Sequence, residues 1–112
     1  MSAPRIAVID DSLAVRTALQ LVCDTSGYTV VFHPGAAGAV AFVQQQQPVL
    51  AIIDVHLEYP AAGLDVVRRL RANPATASIP LVVWSADPDV QHTVTRLGPS
   101  IHFEGTSWRS IR

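Results

Sequence analysis

The chain has 112 residues, 49% of them hydrophobic, and a net charge of −1, enough for one core and too short for a second domain. Its apolar runs reach only strand length, which excludes a membrane-spanning helix, and the near-neutral balance without a basic stripe argues against nucleic acid as a partner. All eight basic residues are arginine; there is no lysine.

The first strand is predicted over Arg5–Ile9 and stops at Asp10-Asp11-Ser12. The start of the chain enters this strand with no apolar signal segment, so a cytoplasmic location is expected. Asp11 or Ser12 can cap the helix that follows. Val15, Ala18, Leu19 and Val22 recur there at helical spacing, and Gly27 is its expected left-handed terminator. The single cysteine, Cys23, sits in this apolar helix and reads as a buried, inert thiol.

Residues 28–32 form a second strand and His33-Pro34-Gly35 a turn. A small-residue helix follows over 35–47. Pro48 closes it, and Leu50-Ala51-Ile52-Ile53 then runs without alternation to Asp54. Such a run fits a strand buried on both faces, as in a parallel sheet covered by helices. A loop over 57–62 reaches Gly63. Leu64, Val67 and Leu70 mark the buried face of the next helix, with Asp65, Arg68, Arg69 and Arg71 on the solvated face, and Asn73-Pro74 stops it.

A fourth strand over 79–84 ends at Ser85. A short fourth helix carries Val90, Val94 and Leu97, and a fifth strand covers Ser100–Glu104. The remaining residues, 105–112, allow about two helical turns at most. His33, His92 and His102 show no metal-ligand spacing.

Alternation of strand and helix predicts a doubly wound α/β domain with a parallel sheet. Open sheets of this kind place their sites at the carboxyl edge of the strands. Asp10, Asp11, Asp54 and Ser85 are expected to meet there.

Four stretches together resemble the receiver domains of two-component response regulators. They are Ile6-Ala7-Val8-Ile9-Asp10-Asp11-Ser12, Ala51-Ile52-Ile53-Asp54, the helix from Gly63 to Arg71, and Ile79-Pro80-Leu81-Val82-Val83-Trp84-Ser85-Ala86. The resemblance covers nearly the whole chain, residues 1–112 as a single receiver domain. It implies a flavodoxin-like sheet of five parallel strands in the order 2-1-3-4-5, with the last helix short or missing. It also implies Asp54 as a nucleophile phosphorylated by a sensor histidine kinase or phosphotransfer protein. Mg²⁺ would be held by Asp11 and Asp54 directly, by Asp10 through water, and by the backbone carbonyl of His56. The His56 imidazole could instead shade the site, and Ser85 would donate its hydroxyl to a phosphoryl oxygen.

The pattern breaks in the fifth strand. Where the family has lysine and proline, this chain has Glu104 and Gly105, and Ile101 stands at the usual position of a rotating aromatic residue. At ~4 Å and an effective dielectric near 20, reversing one charge is worth about 4 kcal/mol. Either Glu104 points away, an arginine such as Arg109 substitutes, or phosphorylation no longer drives a switch. A truncated last helix would leave one flank of the sheet bare, so a homodimer or element-swapped dimer through the helix 4/strand 5 flank is expected. A phosphorylation-independent pseudo-receiver acting as an interaction module is the competing reading, and a Mg²⁺-dependent phosphotransfer enzyme is a more distant third.

Overall fold

A computed structural model describes residues 3–59, 61–84, 100–104 and 107–111, with Trp84 and the last two segments described by their backbone. The elements follow the order β1 (Arg5–Ile9), α1 (Leu13–Ser26), β2 (Thr29–His33), α2 (Ala39–Gln46), β3 (Leu50–Asp54), α3 (Ala62–Ala72), β4 (Leu81–Trp84), β5 (Ser100–Glu104) and β6 (Ser107–Ile111). They form one sheet in the order β2-β1-β3-β4-β5-β6. Pairing is parallel from β2 through β5, and β6 runs antiparallel to β5. The alternation's doubly wound α/β sheet is thus present, in the flavodoxin-like 2-1-3-4-5 order that the resemblance implies, with a sixth, antiparallel strand added at its edge.

The tail differs from the helical stub allowed by its length. Ser107–Ile111 is a strand, with Glu104 opposite Ser107 and Ser100 opposite Ile111. Five residues are too few to sustain an isolated helix. Trp108 and Ile111 favour extended backbone, and an open sheet edge supplies the hydrogen bonds. Ser85 and the expected fourth helix with Val90, Val94 and Leu97 lie outside the described residues.

Successive strand residues face opposite sides, and the core divides accordingly. Ala7, Ile9, Ala51, Ile53, Leu81 and Val83 pack on the side of α2 and α3, against Val43, Val66, Val67 and Leu70. Ile6, Val8 and Val30 pack on the side of α1, against Cys23. On α1 the predicted apolar face is rotated. Leu19 is partly buried and Cys23 buried, whereas Val22 is 60% exposed. Burial raises the Cys23 thiol pKa, with the Asp24 charge adding to it, which keeps the sulfur protonated and inert.

The helix ends follow the sequence cues. Ser12 Oγ accepts from the Val15 amide at 3.3 Å to cap α1, and Gly27 closes it at φ 80°. On α3, Asp65 lies in the first turn and Arg69 and Arg71 in the last, matching the helix dipole. Helix α2 starts at Ala39 rather than at Gly35, after Gly38 at φ 76°.

Candidate functional site

The register of the sheet gathers the acidic residues. Ile9 pairs with Ile53, so Asp10 follows on β1 at the level where Asp54 ends β3, and Asp54 pairs with Trp84 of β4. Phe103 pairs with Trp84, so Glu104 stands one step further along the same carboxyl edge. The side chains of Ile101 and Glu104, and all of Ser85, lie outside the described residues.

Asp10, Asp11 and Asp54 each offer a carboxylate oxygen, and these oxygens lie within 4.8 Å of one another. Asp10 is buried, Asp54 half-buried and Asp11 exposed. Backbone amides fix two of them: Asp10 Oδ1 accepts from Ser12 N at 2.7 Å, and Asp54 Oδ1 from His56 N at 3.1 Å. Among the described residues the second oxygen of each of these two carboxylates accepts no hydrogen bond.

Burial raises the Asp10 pKa most, the Ser12 amide pulls it back and the Asp11 charge pushes it up again. Asp54 is also raised, first by burial and then by Asp10 and Asp11, against the opposing His56 amide and imidazole. Among the described residues no salt bridge reaches the cluster. Clustered carboxylates of this kind repel unless a cation lies between them. A donor set made only of hard oxygens, without thiolate or imidazole nitrogen, fits Mg²⁺ or a similar hard ion.

His56 is exposed, and its imidazole makes a hydrogen bond within its own loop. Its Nδ1 accepts from the Ala61 amide at 3.3 Å, which requires the Nε2–H tautomer. Ala61 holds φ 65° just before α3, a left-handed conformation that costs a non-glycine residue about 1 kcal/mol. Gly63 then lets α3 begin against the end of β3: a Cβ there would overlap the Asp54 carbonyl and the Val55 Cα. A residue that no spacing marks also enters the picture. Glu58, in the same loop, binds the backbone amides of Ala36 and Ala37, and the Ala36 amide holds its carboxyl below the usual range.

Comparison with known proteins identifies the family. The profile of the response regulator receiver domain matches residues 6–102. The DNA-binding dual master transcriptional regulator RpaA of Synechocystis sp. is 31% identical over 91 residues, 81% of this chain and 37% of its own length. Transcriptional regulatory protein AfsQ1 of Streptomyces coelicolor is 30% identical over 77% of this chain and 36% of its own. The chain therefore spans little more than a third of these curated relatives. Among solved structures, the Mn²⁺-bound form of response regulator Rcp1 superposes with a TM-score of 0.79 at 26% identity, covering 93% of this chain and 81% of that one. The receiver domain of sensor histidine kinase PA1611 from Pseudomonas aeruginosa, with magnesium in its active-site cleft, shares the fold at a TM-score of 0.80 and 17% identity, covering 96% and 88%. Among the described residues no helix is long and apolar enough to cross a membrane. From the acidic edge of its sheet to the profile that spans nearly all of it, this chain belongs to the response regulator receiver domain family of two-component signalling.

Proposed function

We propose that Asp54 is the phosphoacceptor of this domain, taking a phosphoryl group from the phosphohistidine of a sensor kinase or phosphotransfer protein in the cytoplasm. The observation that carries the reading is the grouping of Asp10, Asp11 and Asp54 oxygens within 4.8 Å at the carboxyl edge of β1 and β3. A carboxylate oxygen of Asp54 attacks phosphorus, the phosphorus–nitrogen bond breaks, and the imidazole leaves with the electron pair. The His56 amide holds Asp54 Oδ1 during this step and leaves the other oxygen as the nucleophile.

Asp11 and Asp54 would hold Mg²⁺, Asp10 would act through water, and the His56 carbonyl would complete the protein's share. When bound, the ion neutralises the charge that accumulates as the phosphoryl group arrives. Ser85 would donate its hydroxyl to a phosphoryl oxygen. With Glu104 in the place of the family's lysine, the signal is passed on without a lysine–phosphoryl bond. The output is a protein–protein contact, and self-association through the helix 4/strand 5 flank, where β6 lies against β5, is part of this reading. A monomeric mass at high micromolar concentration would contradict that last part.

Intact-protein mass after incubation with acetyl phosphate tests the reading. A Mg²⁺-dependent gain of one phosphoryl group, absent in Asp54→Asn, is the expected result. No gain, with beryllofluoride also failing to bind, would overturn it in favour of a pseudo-receiver that partners recognise in the unmodified state.

A further inference from the structure

The loop that follows Asp54 is fastened to a second loop by a contact that the phosphoryl chemistry does not require. Glu58 Oε1 accepts from the Ala36 amide at 2.8 Å. Its Oε2 accepts from the same amide at 3.0 Å and from the Ala37 amide at 3.4 Å. These amides belong to the loop between β2 and α2. Gly35 makes room for the carboxylate: a Cβ there would lie 2.6 Å from Oε1 and 2.9 Å from Oε2.

The receiving loop is itself joined to the acidic pocket. His33 Nε2 bonds with the Ala37 carbonyl at 2.8 Å, and the His33 ring stacks on Phe42 with centroids 5.1 Å apart. The His33 carbonyl accepts from the Asp10 amide at 3.1 Å. A continuous path therefore runs from Glu58 through the loop between β2 and α2 to the backbone of Asp10. On the other side, His56 is held by Asp54 Oδ1 at its amide and by the Ala61 amide at its ring. Glu58 is the third anchor of the short backbone stretch that carries the His56 carbonyl.

We propose that Glu58 is a positioning residue of the phosphorylation site, a strap that fixes the backbone around His56 and so pre-sets the cation site. This rests on the reading of Asp10, Asp11 and Asp54 as a Mg²⁺ site. Fixing the groups that orient a ligand raises metal affinity without touching the nucleophile. The strap therefore acts on Mg²⁺ affinity, while phosphorylation at saturating Mg²⁺ is left nearly unchanged.

Two substitutions release the strap from opposite ends. Glu58→Ala removes the carboxylate. Gly35→Ala evicts it with a methyl group, at a position outside the left-handed backbone region. Mg²⁺ affinity is measured by titration calorimetry on the full chain. Each variant is expected to weaken binding about tenfold, the double variant no further, and Glu58→Gln, which keeps one acceptor oxygen, to fall between. The rate of Asp54 phosphorylation at saturating Mg²⁺ should stay within about twofold of wild type, a split that a general loss of stability would not produce.

Glu58→Ala with wild-type affinity, or two single effects that add, would overturn the proposal. A wild-type chain that binds Mg²⁺ but is never phosphorylated would sink the phosphoacceptor reading alone, with the strap still judged by the titration. A wild-type chain that binds no Mg²⁺ would sink both.

Discussion

On one side of the sheet, α2 and α3 close over Ala7, Ile9, Ala51, Ile53, Leu81 and Val83, none more than 1% exposed. On the other, α1 meets Ile6, Val8 and Val30 through Cys23, while Leu19, Phe32, Leu50 and Ile52 are only partly buried. The outer surface of α1 leaves Leu13, Leu21 and Val22 at 74%, 65% and 60% exposure. Both faces are built from the same β-branched and aliphatic strand residues, so the difference lies in the helices. Helix α3 presents Leu64, Val66, Val67 and Leu70 as one buried stripe, with Arg68 and Arg69 exposed opposite. Arg71, expected on that solvated face, is half-buried and donates to the Ala77 and Ile79 carbonyls. Helix α1 spreads its apolar residues over a wide arc opposite Arg16, Thr17, Gln20 and Asp24 and seats only Cys23 fully. The loop from Asp54 to α3 is set by the dense face, because α3 starts directly against the Asp54 carbonyl at Gly63. The Asp54 side of the acidic pocket is therefore built on the densely packed half, while Asp10 and Asp11 lead into α1.

Truncating each face tests this contrast most strongly. Leu70→Ala should lower stability in urea by about 3 kcal/mol, because it opens a cavity under a fully buried side chain. Leu21→Ala, on the exposed side of α1, should change it by less than about 0.5 kcal/mol. Equal losses would dissolve the distinction between the faces.

The pocket should cost the fold some stability when no cation is present. Asp10 and Asp54 are raised above the ordinary 3.8, so the folded state holds their protons more tightly than the unfolded chain does. Their contribution is full below about pH 3.8 and is lost as pH rises through the raised values. In chelator at neutral pH, Asp54→Asn should therefore stabilise the protein, because it removes a half-buried charge that lies beside Asp10 and Asp11. It should also flatten the decline of melting temperature between acid and neutral pH. A destabilised, equally pH-dependent Asp54→Asn would show that neither burial of the Asp54 charge nor repulsion within the cluster costs the fold stability.

A smaller effect is expected at Ala61, whose left-handed backbone sits beside the pocket. Ala61→Gly should raise stability by about 0.5–1 kcal/mol, the relief of strain exceeding the added freedom of the unfolded chain. A loss in the same melting experiment would mean that the Ala61 methyl group contributes packing. The weakest signal is that of His33, lowered from 6.5 by burial and partly restored by the Glu58 charge. Because the unfolded chain takes up the proton first, stability should fall as pH drops from about 6.5 through the lowered value. His33→Asn should remove that slope, and its persistence would assign it to another group.

Much of this was legible in the sequence because the signals are local. An unbroken apolar run that stops at a carboxylate marks both a buried strand and its functional end, and Arg5–Ile9 and Leu50–Asp54 each carry it. On α3 the buried stripe is plain, but Arg71, read as solvated, is half-buried because the Ala77 and Ile79 carbonyls that it binds lie beyond the helix. On α1 the stripe itself is not plain: with Leu13, Val15, Ala18, Leu19, Leu21, Val22 and Cys23 spread over a wide arc, spacing alone favoured Val22 over Cys23. The strand at Ser107–Ile111 depends on an edge offered by β5, a non-local cause. The Glu58 contact was invisible for a related reason: its acceptors meet backbone amides 21 and 22 residues away, and amides carry no residue signature.

The most direct test of the phosphoacceptor reading is to trap the acyl phosphate chemically. After incubation with acetyl phosphate and Mg²⁺, borohydride reduction converts a phosphorylated aspartate to homoserine, and peptide mapping locates it. The account predicts homoserine at position 54 alone, formed only when Mg²⁺ is present. Homoserine at position 10 or 11, or none at any position, would contradict it.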